Sequence, residues 1–327
     1  MRNVFLRVTC PLALLMPAVT AWPQSSAGFG HQLAPMAPRN PAEIMKQLSE
    51  ASANGIATQA ASVPSSSYTF SAVDFPGVAF SEAYDTFNGL IIGDFQDDAN
   101  FFLTTAFTMR ANVGALYTIP GFNGTPALFA INTSGEMVGG LAVPQIGIRS
   151  FEIINGEATV FDPPQSALLD EATGVNVNGT IVGIYFDTNN ALHGYIYRGG
   201  RFTAINYPGA QNTFAYDINM AGEIVGCWTD LTDTSHGYFR KGGTFTDIEV
   251  PQAMSTCARA IDDKGDIAGS YVDANKMTHG FRYRNGVFQT IDVARATMTS
   301  INCLKNSGEL IGTYGDDKGG SHGFTAH

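Results

Sequence analysis

The sequence predicts an all-β protein, a six-bladed β-propeller built from four-stranded repeats of about 43 residues. The first observation is an apolar motif ending in glycine that recurs six times, at intervals of 46, 44, 43, 43 and 43 residues. The second is that four short strand-like segments, without helical periodicity, fill each interval. The third is that one repeat is divided between the two ends of the repeat region, as a closed ring of blades requires.

The recurring motif is interpreted as the second strand of each repeat and reads, for example, TIVG or EIVG. Its final residues are Gly93, Gly139, Gly183, Gly226, Gly269 and Gly312. Another glycine stands four residues earlier, and in most repeats an Asn or Asp precedes that glycine by three residues, as Asn176 precedes Gly179. This spacing is typical of a tight turn between the first and second strands.

The third and fourth strands repeat as well. After a polar turn, a His-Gly-aromatic sequence opens the third strand, for instance at His193, His236 and His279. A turn of the form RGG, KGG or RNG then leads into the fourth strand. Strands joined by such short turns are expected to form an antiparallel four-stranded sheet, which is the blade of a propeller.

The last repeat stops just after its third strand begins at His322, so it lacks a fourth strand. Residues 69–77 (TFSAVDFPG) precede the first repeat and match residues 201–209 (RFTAINYPG) position by position. We therefore expect residues 69–77 to complete the sixth blade and to cover an edge that would otherwise promote aggregation. An open stack of β repeats is the alternative, but it does not require one repeat to be divided.

The full pattern, I-N-x-x-G-x-I-V-G-x-Y-x-D-x5-H-G-[FY] followed by F-T-x-I-[DN]-x-P-G, resembles the HAF repeat of predicted extracellular bacterial proteins. The resemblance covers residues 69–327. The best-matching units are anchored at Gly183, Gly226, Gly269 and Gly312. The units at Gly93 and Gly139 lack the Asp and the His-Gly at the matching places. The resemblance implies export and a repeat fold, and it transfers neither a reaction nor any catalytic residue.

The first 21 residues have the features of a signal peptide: a basic start, a short apolar run and small residues before the cleavage site. Residues 22–67, rich in Ser, Ala, Pro and Gln, are expected to be a flexible linker with a short helix over residues 41–53. The propeller is assigned to residues 68–327. The protein is therefore expected to be secreted, or to lie in the periplasm or cell envelope.

Composition restricts the partners. The formal charge is −11. Binding to nucleic acid or to an anionic membrane requires a basic surface, so neither is expected to be the main partner. A hydrophobic content of 44 % is incompatible with wholesale disorder. Outside the signal peptide, no apolar run approaches the 18 or so residues of a membrane span. The mature protein is expected to be a monomer.

The cysteine count is odd once Cys10 leaves with the signal peptide, because Cys227, Cys257 and Cys303 remain. An exported protein with three cysteines has either one disulfide and one free thiol, or none. Buried small residues in strands are one interpretation, and a Cys257–Cys303 bridge between neighbouring units is another. The zinc-type spacing of Cys and His is missing, so neither a metal nor another cofactor is expected.

The clearest polar pattern is an Asp followed six residues later by His-Gly. The pairs are Asp187 with His193, Asp230 with His236, Asp273 with His279, and Asp316 with His322. Each Asp ends the second strand and each His begins the third, so a hairpin brings them face to face. A catalytic pair is needed once, whereas this pair occurs four times. A hydrogen bond that orders each hairpin is therefore favoured over a ligand or metal contact.

Two further features bear on chemistry. The acidic turns at residues 262–265 and 316–319 lack the spacing of a calcium loop and are interpreted as solvated turns. The repeat is broken at residues 97–102 and 144–146, where sequence drift is favoured over a grafted function.

The motifs of common hydrolases, zinc proteases and nucleotide-binding proteins are missing from the sequence. The favoured hypothesis is an exported binding or scaffold module for a protein or glycan. Its binding residues would be the eight Asp and His residues, because their hairpins share a rim with the loops between blades. The alternative is an extracellular polysaccharide hydrolase or lyase that uses carboxylates at the channel mouth, since carboxylate pairs need no sequence motif.

Overall fold

The computed structural model describes residues 68–96 and 104–327, and the regular secondary structure within them consists of strands. The expected signal peptide and linker, residues 1–67, lie outside the described residues, as does the break at residues 97–102. Within the described part of the chain, we find no helix with the length and apolar character that a membrane crossing needs.

Among the described residues, twenty-four strands make up the six blades. The first blade has β2 (Phe80–Phe87), β3 (Leu90–Gln96), β4 (Thr104–Arg110) and β5 (Val113–Leu116). The second has β6 (Thr125–Ile131), β7 (Met137–Val143), β8 (Gly147–Ile154) and β9 (Glu157–Phe161), and the third has β10 (Asp170–Val175), β11 (Ile181–Phe186), β12 (Leu192–Arg198) and β13 (Arg201–Ile205). The fourth has β14 (Asn212–Ile218), β15 (Ile224–Thr229), β16 (Ser235–Lys241) and β17 (Thr244–Ile248), and the fifth has β18 (Ser255–Ile261), β19 (Ile267–Val272), β20 (Thr278–Arg284) and β21 (Val287–Ile291). The sixth has β22 (Met298–Leu304), β23 (Leu310–Gly315), β24 (Ser321–Ala326) and the N-terminal β1 (Phe70–Val73).

The blades form a ring. Strands pair antiparallel in chain order within each blade, and the first strands of successive blades contact one another around a central axis. The first strand of blade one, β2, packs on β23 and β24 of blade six. The prediction of an all-β six-bladed propeller is confirmed.

The strand β1 lies at the outer edge of the sixth blade. It pairs antiparallel with β24, with Phe70 opposite Ala326 and Val73 opposite Gly323. Two backbone hydrogen bonds between Thr69 and His327, of 2.9 and 3.2 Å, extend the ladder. The strand is shorter than the segment 69–77 chosen from the sequence. Its role in keeping the ring closed stays a prediction.

The anchor glycines are explained by aromatic side chains of the third strand. Each anchor pairs with the aromatic residue of the His-Gly-aromatic motif or its equivalent, as Gly226 pairs with Tyr238 and Gly312 with Phe324. These aromatic side chains are fully buried. A Cβ atom at Gly312 would lie 2.8 Å from the ring of Phe324, so only glycine leaves the ring room.

Side chains from the first strands of neighbouring blades meet near the centre of the ring. Every first strand contains a β-bulge, and a bulge adds one residue that the partner strand does not match. The bulge residues are Tyr84, Phe129, Thr173, Tyr216, Arg259 and Asn302. Neighbours among them touch: the rings of Tyr84 and Phe129 are 5.4 Å apart, and Arg259 lies 5.0 Å from the ring centre of Tyr216. Polar and aromatic groups therefore occupy the channel at this level.

A series of amide hydrogen bonds joins the blades at the turns between first and second strands. The amide Nδ2 of Asn132 donates to the carbonyl of Asn176 (3.0 Å), and Asn176 donates in the same way to Asn219 (3.0 Å). Asn219 then donates to Asp262 (3.2 Å). Asp262 is only 2 % exposed, and its Oδ2 has no hydrogen-bond partner among the described residues. The interpretation of residues 262–265 as a solvated turn is thus wrong for Asp262, because this side chain occupies the buried amide position.

The substitution Asp262→Asn is expected to stabilise the protein by about 1 kcal/mol, because it restores a donor where an acceptor is buried without a partner. The Oδ1 atom would keep the bonds that Asp262 already accepts from the Lys264 and Asp266 amides. Urea unfolding measures the change. Asp317→Asn, the same charge change in an exposed turn, is the control and should alter stability by less than about 0.5 kcal/mol. Equal effects of the two substitutions would contradict the amide series.

The cysteines are paired differently from the Cys257–Cys303 alternative, which is wrong. A disulfide joins Cys227 on β15 to Cys257 on β18, with Cα atoms 5.1 Å apart, and so links blades four and five. Cys303 is free and buried in blade six, where its thiol donates to Asp85 Oδ1 at 2.9 Å. The first strand of blade five faces the second strand of blade four at this level, which brings Cys227 and not Cys303 to Cys257.

Candidate functional site

One end of the propeller carries the predicted site residues. The turns between second and third strands lie at this end, together with the loops between blades. We call it the His rim, defined by His193, His236, His279 and His322. The other two kinds of turn lie on the opposite face.

The structure brings each predicted Asp and His together. In each second–third hairpin the residue two positions before the Asp pairs with the His, as Trp228 pairs with His236. The distances from His Nε2 to the Asp Oδ2 are 3.3 Å for Asp187–His193, 3.5 Å for Asp230–His236, 3.5 Å for Asp273–His279 and 3.3 Å for Asp316–His322.

A third residue, which the sequence pattern did not single out, completes each cluster. The other ring nitrogen, Nδ1, lies next to an oxygen at the end of the fourth strand. The contacts are His193–Asn206 (2.6 Å), His236–Glu249 (3.0 Å), His279–Asp292 (2.9 Å) and His322–Asp74 (3.0 Å). The signal was present as the [DN] position of the fourth-strand motif, where the fourth blade has Glu249 instead. Asp74 belongs to the N-terminal segment, so the fourth cluster uses both ends of the repeat region.

The Asp side chains also hold the hairpin turns. Asp187 Oδ1 accepts hydrogen bonds from the amides of Asn189 (2.8 Å) and Ala191 (2.9 Å), and the other three Asp residues accept equivalent pairs. In the fourth blade the Thr232 hydroxyl is a further donor. Its hydrogen bond, with those of the backbone amides, lowers the pKa of Asp230 to about 2. These carboxylates are therefore ionised over the physiological range.

Each imidazole packs against an aromatic ring at the end of the second strand. The rings are stacked in the fourth, fifth and sixth blades and tilted in the third. The ring centres are 5.1 Å apart for Tyr185–His193, 4.4 Å for Trp228–His236, 5.1 Å for Tyr271–His279 and 5.0 Å for Tyr314–His322. In the fourth blade Tyr207 of the preceding loop covers the other side of Trp228, at 4.4 Å. The imidazole is therefore the outer ring of the stack, and the four His side chains are 22 to 28 % exposed.

This geometry suits hydrogen bonding. A neutral imidazole donates through one nitrogen, whereas a protonated one donates through both, one to each flanking oxygen. In the fifth blade the hydrogen bond to Asp292 leads the effects that raise the pKa of His279. Each cluster links the turn between the second and third strands to the end of the fourth strand by hydrogen bonds. Among the described residues, we find no group of three or more His, Cys, Asp or Glu side chains arranged to hold a metal ion.

The substitution His236→Ala is expected to destabilise the protein by about 1–3 kcal/mol, because it removes the imidazole that lies between Glu249 and Asp230 and the ring stacked on Trp228. Urea unfolding of the variant provides the measurement. His327→Ala is the control, because that side chain is 65 % exposed. If both variants unfold like the parent, the clusters do not order the hairpins.

The second blade replaces this cluster by an arginine. By strand register Arg149 occupies the His position, and it contacts Asp162 (3.3 Å) and Asp170 (3.5 Å). The break at residues 144–146 is the second–third turn of this blade, and it exposes Ile146. The second blade thus keeps a cation between two acceptors and loses the Asp–His pair.

Charge differs strongly between the two ends. In the described connections, each counted with one flanking strand residue on either side, the His rim has eleven Asp or Glu and three Lys or Arg residues. The opposite face has seven of each. The rim therefore has a negative potential that attracts cationic groups and repels anionic ones.

These observations define a class of protein: a six-bladed propeller with one acidic rim of repeated polar clusters. No protein-family model matches the sequence, and no curated protein matches it significantly. Among solved structures it is similar to a fungal lectin, the lectin of Aleuria aurantia, described as a six-bladed β-propeller with a novel fucose recognition mode. The TM-score is 0.51 at 12 % identity, over 76 % of this chain and 93 % of the lectin.

The chain is also similar to AofleA from Arthrobotrys oligospora, with a TM-score of 0.51 at 13 % identity, over 78 % of this chain and 85 % of AofleA. At such identities the likeness concerns the fold alone.

Proposed function

We propose that this chain is an exported binding module of the HAF-repeat type that holds a glycan on its His rim. The observation that supports the proposal is a cluster of one imidazole between two oxygen acceptors, repeated in four blades on one rim. Fixed polar side chains of this kind give orientation-dependent hydrogen bonds to hydroxyl groups. Four similar sites on one face also suit a polymer with a repeating unit, because linked sites increase avidity.

The charge of the rim narrows the class of glycan. Eleven acidic against three basic residues repel uronates and sulfated or sialylated chains. Neutral sugars carry no such cost, and amino sugars gain from the negative potential. We therefore propose neutral or amino-sugar polymers as the partner. The comparison with the fucose-recognising lectin supports a propeller as a suitable scaffold, and it supplies no residues.

The connection to the N-terminal segment is compatible with a free rim. Tyr68 and Thr69 lie beside His327 at the end of β24 that is opposite the His rim. The described part of the chain therefore begins, at Tyr68, on the opposite face. An exported protein attached through this segment would present the rim to its surroundings.

The test is a thermal or urea melt of the protein with neutral, amino-sugar and uronate oligosaccharides. A ligand at 100 times its Kd adds about 2.7 kcal/mol of stability, so binding is readily measured. We expect a shift with one of the first two classes. Asn206→Ala, at the rim end of β13, should weaken binding, whereas Arg201→Ala at the other end of that strand should not. The absence of a shift with every class would overturn the proposal.

The hydrolase or lyase alternative is less well supported. Near the channel the hydroxyl of Tyr84 donates to Glu82 (2.9 Å) and lies 3.3 Å from Asp94. Burial, with these two carboxylates, raises the pKa of Tyr84 well above its usual value, so this hydroxyl stays protonated. All three side chains are buried. Turnover of any oligosaccharide in the panel would nevertheless favour the alternative.

A further inference from the structure

A carboxyl group is buried without a partner between blades two and three. Glu171, on β10, is fully buried, and neither of its side-chain oxygens has a hydrogen-bond partner among the described residues. It faces Gly140 of β7, where an added Cβ would lie 3.1 Å from Glu171 Cγ. The equivalent positions between blades four and five hold the disulfide of Cys227 and Cys257. The other junction thus has a covalent link where this one has a carboxyl group.

The polar and charged neighbours of Glu171 do not offset the cost of burying its carboxyl group. Asp170, next to it on β10, is also fully buried and accepts bonds from the Ser150 amide (2.7 Å) and the Ser166 hydroxyl (2.7 Å). The guanidinium of Arg149 is already shared by Asp162 and Asp170. On β12, the hydroxyl of Tyr195 is bonded to Ser150 at 2.8 Å.

An ionised Glu171 would be a buried charge beside a second carboxylate. Burial and the nearby Asp170 raise the pKa of Glu171 to about 8, and burial raises that of Asp170 to about 6. At neutral pH Glu171 therefore holds its proton. When the proton is lost, the carboxylate can recover hydration only if β10 moves away from β7.

We propose that the junction between blades two and three is a pH-sensitive latch, closed while Glu171 is protonated and loosened when Glu171 ionises. Asp170 couples the latch to blade two, because its carboxylate accepts a hydrogen bond from the Ser150 amide of β8 and another from Ser166 in the loop between the blades. An ionised Glu171 repels this carboxylate. The latch lies just below the rim position of Arg149, so its opening alters the rim of blade two.

The direction of the pH effect follows from the two states. In the unfolded chain the Glu171 carboxyl ionises near the ordinary glutamate pKa of 4.5, and in the folded protein its pKa is about 8. The stabilisation is complete below pH 4.5 and is lost as the pH rises through 8. One pKa unit corresponds to a tenfold change in the folding equilibrium constant, so about a thousandfold change is expected across this interval.

The experiment measures urea unfolding from pH 5 to pH 9 for the parent, Glu171→Gln and Glu157→Gln. Gln has the shape of Glu but cannot ionise, so we expect Glu171→Gln to gain at least about a hundredfold in relative folding equilibrium constant between pH 5 and pH 8. Glu157 is exposed on β9, and its variant should follow the parent. Parallel pH profiles of the parent and Glu171→Gln would overturn the proposal.

Two measurements on the parent protein make the test independent of the variants. The NMR signal of the Glu171 carboxyl carbon should titrate above pH 7, and a midpoint below pH 6 would overturn the proposal. Amide hydrogen exchange at pH 9 should increase in β7 and β10 more than in β15 and β18, which the disulfide joins. Uniform exchange across the blades would also contradict the latch.

Discussion

Deletion of residues 69–77 is expected to abolish cooperative unfolding of the propeller, or to lower its stability by at least about 5 kcal/mol. The segment contributes β1, whose Val73 is 4 % exposed, and Phe70, whose ring lies 5.3 Å from that of Phe324. Phe75 stacks on Phe95 of the first blade at 4.4 Å. Phe70 and Phe75 are half-buried, and full burial of a side chain of this size contributes about 1.5–3 kcal/mol. The rest of the loss comes from the backbone ladder between β1 and β24.

The deletion also removes two functions of the segment that do not depend on apolar burial. Without β1, the outer edge of β24 exposes unpaired amides and carbonyls, which promote association between molecules. Without Asp74, His322 loses its Nδ1 partner. Light scattering during a thermal melt should therefore detect aggregation of the deleted protein at a temperature where the parent remains clear.

Point variants distinguish the effect of losing the packing of β1 from the effect of shortening the chain. Val73→Asp places a charge in the contact with the sixth blade and should reproduce most of the loss. Ser71→Asp changes an exposed residue of the same strand and should have little effect. If the deleted protein and Val73→Asp melt like the parent, the strand does not close the ring.

The sequence predicted the features that depend on short separations along the chain. The turns and hairpins of each repeat connect residues only a few positions apart. Their residue types therefore recur at the same spacing in every repeat and are visible in the sequence. The Asp–His pairs are of this kind, since six residues separate Asp187 from His193. Repetition also allowed the number of blades to be predicted, because each blade is one repeat and successive repeats have nearly the same length.

Contacts between blades could not be predicted in the same way. Cys227 and Cys257 are 30 residues apart, and they meet because the first strand of one blade faces the second strand of the preceding one. Glu171 and Gly140 meet by the same rule, and neither residue belongs to a motif. The third residue of each cluster was missed for a different reason: its position in the motif was visible, but its side-chain direction depends on strand register.

Substitution of an anchor glycine tests why the second strand of each repeat has a glycine at that position. We expect Gly226→Ala to destabilise the protein by about 3 kcal/mol or more, which is the upper range for overpacking of a core. A Cβ atom there would overlap the carbonyl oxygen of Phe214 and lie 2.7 Å from the hydroxyl of Tyr238. That hydroxyl donates to the same carbonyl at 2.8 Å, and Tyr238 is fully buried, so neither group has room to move.

Gly222→Ala is the matched control for this test, because it lies in the preceding turn of the same blade. No atom lies within 4 Å of its Cβ position, but its φ of +78° is in the left-handed region. The expected cost is therefore only the backbone term of about 1–2 kcal/mol. Urea unfolding of both variants gives the comparison. A larger loss for Gly226→Ala indicates that the glycine is required for the close approach of Tyr238, whereas equal losses would mean that backbone conformation alone accounts for the motif.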